Sequence, residues 1–468
     1  MLVRTSLSLM PTPTHRNSAR SPLPSPTHTI IGRFKRDLRR VHMVRFLLAS
    51  LTLAAATPAL RAEDRFFLRD GQRVVFLGDS NTFAGHYIAY LDAYLFTRFP
   101  DRKFDLINLG LPSETACGLS EPDHPYPRPD VHERIDRALT KTKPDVVVLC
   151  YGMNDGIYYP FSEERFKRYQ DGMRDVIERV KKAGAKVVVV TPPPFDPAPV
   201  KDKLLPKTAD KFSWMRPYEG YDDVLQRYSD WLLTLRGKGV TVADAHGAIL
   251  HHLAEARKAD PKYSLSGDGV HVNPSGHWLI AQAILQSWDA PADVDAAAID
   301  AKLGKAMAGE VSELTTDNGG LRFTWRTRLP MPCDPAWNDR LAETEKVAYR
   351  FNRYQLTVKD APHEKYELWE GERKLAEVSR EELAAGVDLT HYKELSTNVR
   401  AAELGKWVAK REQLLALAWL TDVGHKRPGT PKGILLADAM KRTAELEAKI
   451  RKLAEPTKIA LRLVPVGK

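Results

Sequence analysis

Between residues 73 and 288, short apolar runs alternate with longer amphipathic stretches, and this alternation constrains the fold of the 468-residue chain more than any other feature. The runs are Arg73–Gly78, Phe104–Leu109, Asp145–Cys150, Lys186–Val190 and Gly239–Asp244. Each is strand-length, rich in Val, Ile or Leu and bounded by turn or charged residues, as expected of a strand buried on both faces. Helical spacing runs over Tyr87–Phe99, Val131–Thr140, Ser162–Ala183, Tyr218–Leu235 and Pro274–Trp288. Ser162 suits an N-cap, Gly184 follows the end of its helix, and Pro274 sits in a first turn. The pattern predicts an α/β fold, a doubly wound three-layer α/β/α sandwich around a five-stranded parallel sheet, over residues 70–290. Such sheets bind ligands at the carboxyl ends of their strands.

The chemistry-bearing residues fall just after strands. Gly78-Asp79-Ser80-Asn81-Thr82 places a serine on a tight turn, where its hydroxyl can be exposed and its N–H left for an oxyanion. The same residues also make an ordinary turn and helix cap. Gly110 follows the second strand and would let a ligand oxygen approach its N–H, or simply form a turn. Asn154, in Tyr151-Gly-Met-Asn-Asp-Gly156, offers a neutral N–H donor or a loop-closing Asx-turn. Asp268 and His271 stand three apart before the last helix. Histidine is the natural general base near neutral pH, and a carboxylate can fix its tautomer. Each piece alone has a bland reading; the ordered set, each after a strand of one domain, is specific.

That set resembles the SGNH/GDSL hydrolase superfamily, whose motifs are Gly-Asp-Ser, Gly, Gly-x-Asn-Asp and Asp-x-x-His. The resemblance spans roughly 70–290 and implies a flavodoxin-like hydrolase domain. It implies Ser80 as nucleophile, His271 as base, Asp268 as its orienter, and an oxyanion hole from the N–H groups of Ser80 and Gly110 with the Asn154 side chain. The chemistry implied is two-step acyl transfer with no metal and no organic cofactor. Asn81 replaces the Leu of the GDSL name, so lipase-like substrates do not follow. Asp79, Tyr151, Asp155 and Tyr158 are expected against substrate, while Tyr159, Phe161, Trp214, Tyr218 and Tyr221 crowd the flanking loops. Such aromatics suit a sugar face and suit core packing equally. The expected activity is removal of O-acyl, chiefly acetyl, groups from carbohydrate. The alternatives are a lysophospholipase or thioesterase, and a non-catalytic glycan-binding module.

The formal charge of +10 could suggest an anionic partner. Residues 1–62 hold ten Lys/Arg against Asp37 alone, however, leaving residues 63–468 at +1, without an electrostatic footprint for nucleic acid. Residues 1–42, rich in Pro, Ser, Thr and Arg, read as a disordered extension ahead of a true start at Met43. Arg45, the apolar run Phe46–Ala56 and small residues up to Ala62 read as a signal peptide over 43–62, hence a secreted or periplasmic protein. No later run of eighteen apolar residues calls for membrane insertion. Cys117, Cys150 and Cys333 are too few for a disulfide framework, and His124, His246, His251 and His252 lack ligand spacing.

Residues 291–468 read as a small α+β appendage without a second catalytic constellation. Its expected elements are a helical or mixed connector over Ala297–Leu314 and strands at Leu321–Arg326, Asn352–Lys359, Lys365–Glu370, Lys374–Val378 and Ile459–Val464. Helices are expected over Trp407–Thr421 and Lys432–Leu453, with Asp334, Glu343 and Glu345 as solvated charges.

Overall fold

The computed structural model describes residues 65–425, 427–429 and 432–467. The expected extension and signal over 1–62 lie outside the described residues. Strands β1 (Arg73–Gly78), β2 (Asp105–Asn108), β3 (Val146–Cys150), β4 (Lys186–Val190) and β5 (Thr241–Ala243) form one parallel sheet in the order β2-β1-β3-β4-β5. Side chains alternate across a strand, so each apolar run feeds two cores. Val75, Leu77, Val147, Leu149, Val187 and Val189 meet residues of the helices Ile135–Thr142, Glu163–Lys182 and Tyr221–Leu233. Val74, Phe76, Val146, Val148, Val188 and Val190 meet those of His86–Arg98, Ala245–Ala259 and Pro274–Ser287. This is the expected three-layer sandwich. Ser162 caps its helix by accepting from the Arg165 N–H. The helix Ala245–Ala259 has no counterpart among the expected helices; Asp244 caps it by accepting from the Gly247 N–H.

The carboxyl-terminal region carries the expected later strands and its two long helices, and departs from expectation in its connector. Ala297–Leu314 is not helical but falls within three strands, β6 (Asp293–Asp300), β7 (Lys305–Ala308) and β8 (Glu310–Asp317). Next come β9 (Gly320–Thr327), β10 (Arg353–Lys359), β11 (Lys365–Glu370), β12 (Arg373–Ser379), β13 (Val387–Asp388) and β14 (Thr457–Pro465). They build a four-stranded sheet, β13-β10-β6-β7, and a five-stranded sheet, β12-β11-β14-β9-β8. Parallel pairing of β6 with β10, Ala297 opposite Leu356, overrides the helical preference of the alanines. Ile299, Phe323, Trp325, Leu356, Leu368 and Leu461 fill a third core drawn from both sheets. Two long helices, Ser396–Val423 and Leu436–Ala454, pack on one another.

These elements pack into both cores of the sandwich. Trp337 and Phe351 lie against Trp278, with ring centroids 4.9 and 5.8 Å away. Leu415, Trp419 and Val423 complete the opposite core. Arg411, buried on the helix Ser396–Val423, bonds Asp92 of the helix His86–Arg98 at 3.3 Å and Glu412 at 2.7 Å. Two acids expected in solvent are engaged instead. Glu345 is buried, with its carboxylate on His252 at 2.8 Å and on Gln282 at 2.6 Å. Asp334 accepts from the Tyr90 hydroxyl at 2.6 Å. Glu343 is exposed as expected. Among the described residues, no helix is long and apolar enough to cross a membrane.

Candidate active site

Strand β1 ends at Gly78, where only hydrogen fits: a Cβ there would fall 2.1 Å from Thr82 Oγ1 and 2.7 Å from the Cys150 carbonyl oxygen. The chain then turns sharply into the short helix Ser80–Ala84, capped by Asp79, whose Oδ1 accepts from the Asn81 N–H at 3.0 Å. Ser80 is therefore the first helical residue, half-buried at the carboxyl edge of the sheet. Its Oγ lies 2.8 Å from His271 Nε2, and His271 Nδ1 lies 2.6 Å from Asp268 Oδ2. The other carboxylate oxygen, Oδ1, accepts from the N–H groups of Val270 (2.9 Å) and His271 (2.8 Å) and from the Ser266 hydroxyl (3.0 Å). Two distant stretches of chain thus bring together a hydroxyl, an imidazole and a carboxylate.

Electrostatics follow the same contacts. Burial works against the Asp268 carboxylate, but the hydrogen bonds from His271 and from the Val270 and His271 N–H groups outweigh it and hold the carboxyl well below its usual range. The bond to Asp268 raises the imidazole of His271 above its ordinary 6.5. An anchored carboxylate fixes the Nδ1–H tautomer, so Nε2 faces Ser80 as an acceptor.

Asn81, read from sequence only as a departure at the fourth motif position, has a structural task. Its side chain is buried; Nδ2 donates to the Val270 carbonyl at 3.2 Å and Oδ1 accepts from the Val272 N–H at 3.1 Å. One amide thus grips the backbone on both sides of His271 from the residue next to Ser80. The sequence carries no signal for this, because the two partners lie 189 and 191 residues further along the chain.

Gly110 corrects an expectation. Its N–H donates at 2.8 Å to Asn108 Oδ1, closing an Asx-turn, and so is not open to an oxyanion. Glycine is required because a Cβ would fall 2.2 Å from the Phe83 N and 2.5 Å from the Thr82 C, where the loop meets the short helix. Among the described residues the Ser80 N–H has no hydrogen-bond partner. Asn154 follows β3, whose Cys150 pairs with Gly78, so the two loops lie side by side. Asn154 Nδ2 donates once, to the Glu114 carbonyl at 3.2 Å, leaving its second N–H.

The four residues expected against substrate are all buried. Asp79 is the helix cap, and burial lifts its carboxyl to about 7. Asp155 ties down the loop before Arg128 by accepting from the N–H groups of Ala116 (2.7 Å) and Cys117 (2.9 Å); burial lifts it to about 6. Tyr151 donates to Glu114 Oε2 at 2.6 Å. Tyr158 stacks on Tyr221 at 4.9 Å and donates to Asn154 Oδ1 at 3.1 Å. Of the flanking aromatics, Tyr221 is also core and Tyr159, Phe161 and Tyr218 are half-buried, whereas Trp214 stands 45% exposed beside exposed Met215. Among the described residues, no group of three or more His, Cys, Asp or Glu side chains is placed to hold a metal ion.

Residues 76–279 match the family described as GDSL-like Lipase/Acylhydrolase. No curated protein matches the chain. The gut microbial diltiazem-metabolizing enzyme BT4096 is similar in structure over 85% of this chain and 98% of its own, with a TM-score of 0.68 and 19% identity. That span is reached only by including the carboxyl-terminal region. A catalytic mutant of Axe2, an acetylxylan esterase from Geobacillus stearothermophilus, overlaps 47% of this chain and 95% of its own (TM-score 0.36, 19% identity). The acetyl xylan esterase AlAXEase overlaps 46% and 98% (TM-score 0.35, 21% identity). At these identities the likeness is one of fold.

Proposed function

We propose, from the premise that this chain carries a GDSL-like lipase/acylhydrolase domain and is an ester-hydrolysing enzyme, that it works through an acyl-enzyme on Ser80 and removes small acyl groups, chiefly acetyl, from carbohydrate. The observation that carries the mechanism is the unbroken chain of contacts from Ser80 Oγ through His271 to Asp268, at 2.8 and 2.6 Å. His271 Nε2 takes the Ser80 proton as Oγ attacks the ester carbonyl. The Ser80 N–H and the second Asn154 N–H face the oxyanion, giving a two-donor hole. Asp268 stabilises the imidazolium, which then protonates the departing alcohol. Water repeats the sequence on the acyl-enzyme and releases the acid.

The openness of the site supports a bulky alcohol. The His271 and Asp268 side chains are 53% and 51% exposed, so an ester borne on a polymer can reach Ser80. The near-neutral body favours an uncharged substrate, and exposed Trp214 can stack on a sugar face. An exported enzyme, as residues 43–62 suggest, would meet such polymers outside the cell. Acetate release from acetylated xylan or pectin, set against hydrolysis of long-chain esters, tests the substrate. Faster turnover of the long-chain esters would move the assignment to a lipase or thioesterase.

The pH profile is a second test. Only neutral imidazole accepts the serine proton, and His271 titrates above 6.5. The acidic limb of kcat/KM should therefore lie above pH 6.5, with activity rising as the proton leaves. Asp268→Asn removes the group that raises it; the limb should move to lower pH while kcat falls on the order of 10⁴. An unmoved limb in that variant would assign the titration to another group.

A further inference from the structure

Arg128 belongs to no motif and lies in the long connection between β2 and Val131, yet its side chain is almost fully buried. Its Nε and Nη2 donate to the two carboxylate oxygens of buried Glu121, at 2.6 and 2.7 Å. Nη1 donates to Asn154 Oδ1 at 2.9 Å and more loosely to the Ser113 carbonyl at 3.4 Å. The guanidinium lies over the Tyr158 ring, 5.5 Å from its centroid, and the Tyr158 hydroxyl donates to the same Asn154 oxygen at 3.1 Å. The chain strains to deliver that hydroxyl: Ile157 and Tyr158 both sit in the left-handed region, at φ 46° and 62°. A β-branched residue there is an outlier, and such strain persists at sites whose geometry the surroundings over-determine.

A buried ion pair is poor evidence of stability, because apolar side chains of the same volume often serve as well. The charge here bears instead on one amide. An amide oxygen has two lone pairs, and Arg128 and Tyr158 occupy both. The carbonyl end is thereby fixed, and the NH₂ end donates to the Glu114 carbonyl with one N–H to spare. A cationic donor on the oxygen also draws electron density from the nitrogen, so the remaining N–H becomes a better donor, as in any polarised hydrogen-bond chain.

We propose that Arg128, seconded by Tyr158, is a positioning residue that orients and polarises the Asn154 amide for the oxyanion; the inference rests on the serine-esterase reading above. The competing role is structural. Glu121 also accepts, at 3.4 Å, from the Trp214 N–H, so the ion pair could act only on the exposed Trp214 loop.

The two roles separate in a double-mutant cycle on an activated acetyl ester. Arg128→Met is made together with Glu121→Gln, so that no buried carboxylate is left unpaired. In the native background this pair should lower kcat about tenfold or more with KM changed less than about twofold. Asn154→Ala should cost on the order of 10²–10³ in kcat, and adding the pair to it should cost less than about twofold further. Equal losses in both backgrounds, a loss confined to KM, or an unchanged kcat overturns the proposal. If the paired variant does not fold, Tyr158→Phe removes only the second donor and should show the same non-additivity with Asn154→Ala; additivity there overturns the proposal equally. Ser80→Ala runs alongside. If it retains native turnover the esterase reading itself falls; if it is inactive while the cycle is additive, only the role of Arg128 falls.

Discussion

Ser80→Ala is expected to abolish ester turnover while leaving the fold intact. The loss should be on the order of 10⁴–10⁶ in kcat, the residue coming from the oxyanion donors and substrate binding alone. Stability should change by less than about 0.5 kcal/mol, because Ser80 is not the cap of its helix. Asp79 is, through its bond to the Asn81 N–H, and alanine is a good residue in a first turn. A fluorophosphonate should label the native protein at Ser80 and leave the variant unlabelled. Native-level turnover by a variant with an unchanged melting curve would remove the nucleophile from Ser80.

The second large effect concerns the carboxyl-terminal region. A fragment ending at residue 290 is expected not to fold cooperatively. It would lose Trp337, Leu341 and Phe351 from one core and Leu415, Trp419 and Val423 from the other. Each such side chain contributes about 1.5–3 kcal/mol on burial, so together they match or exceed the whole stability of a typical domain, about 5–15 kcal/mol. Asp92 would also lose Arg411, and His252 would lose Glu345. Circular dichroism melting and gel filtration of the fragment decide the matter; a sharp transition with native activity would show that the region is a dispensable appendage after all.

The sequence was most legible where one physical signal dominates. Continuous apolar runs closed by glycine or proline can hardly be anything but buried parallel strands, and residues just after them stand at the sheet's carboxyl edge. Ser80 stands out on that ground; Asp268 and His271, which follow a helix rather than a strand, stand out by their spacing before the last helix and by the family resemblance, and the three are in contact. Legibility failed where the deciding contact is remote. Glu345 lies among exposed charges in sequence, and only its approach to His252 and Gln282 makes it a core residue. Strands β6 to β8 carry alanines and exposed polar residues, so their identity comes from pairing rather than propensity. Tyr151 and Tyr158 suit wall or core equally in sequence; their burial, with hydroxyls on Glu114 and Asn154, decides for core. The engagement of the Gly110 N–H is legible, since Asn108-Leu109-Gly110 is itself an Asx-turn pattern.

The grip of Asn81 on both flanks of His271 bears on redesign. Nucleophile and base move as one piece, because the residue adjoining one holds the backbone of the other. The stretches that arrive from elsewhere, such as the exposed turn bearing Trp214, share no bond of that pair. Exchanging the side chains of such a stretch should retarget the enzyme to a different alcohol or acyl group without re-aligning the proton relay, provided the Trp214 N–H bond to Glu121, the partner of Arg128, is kept.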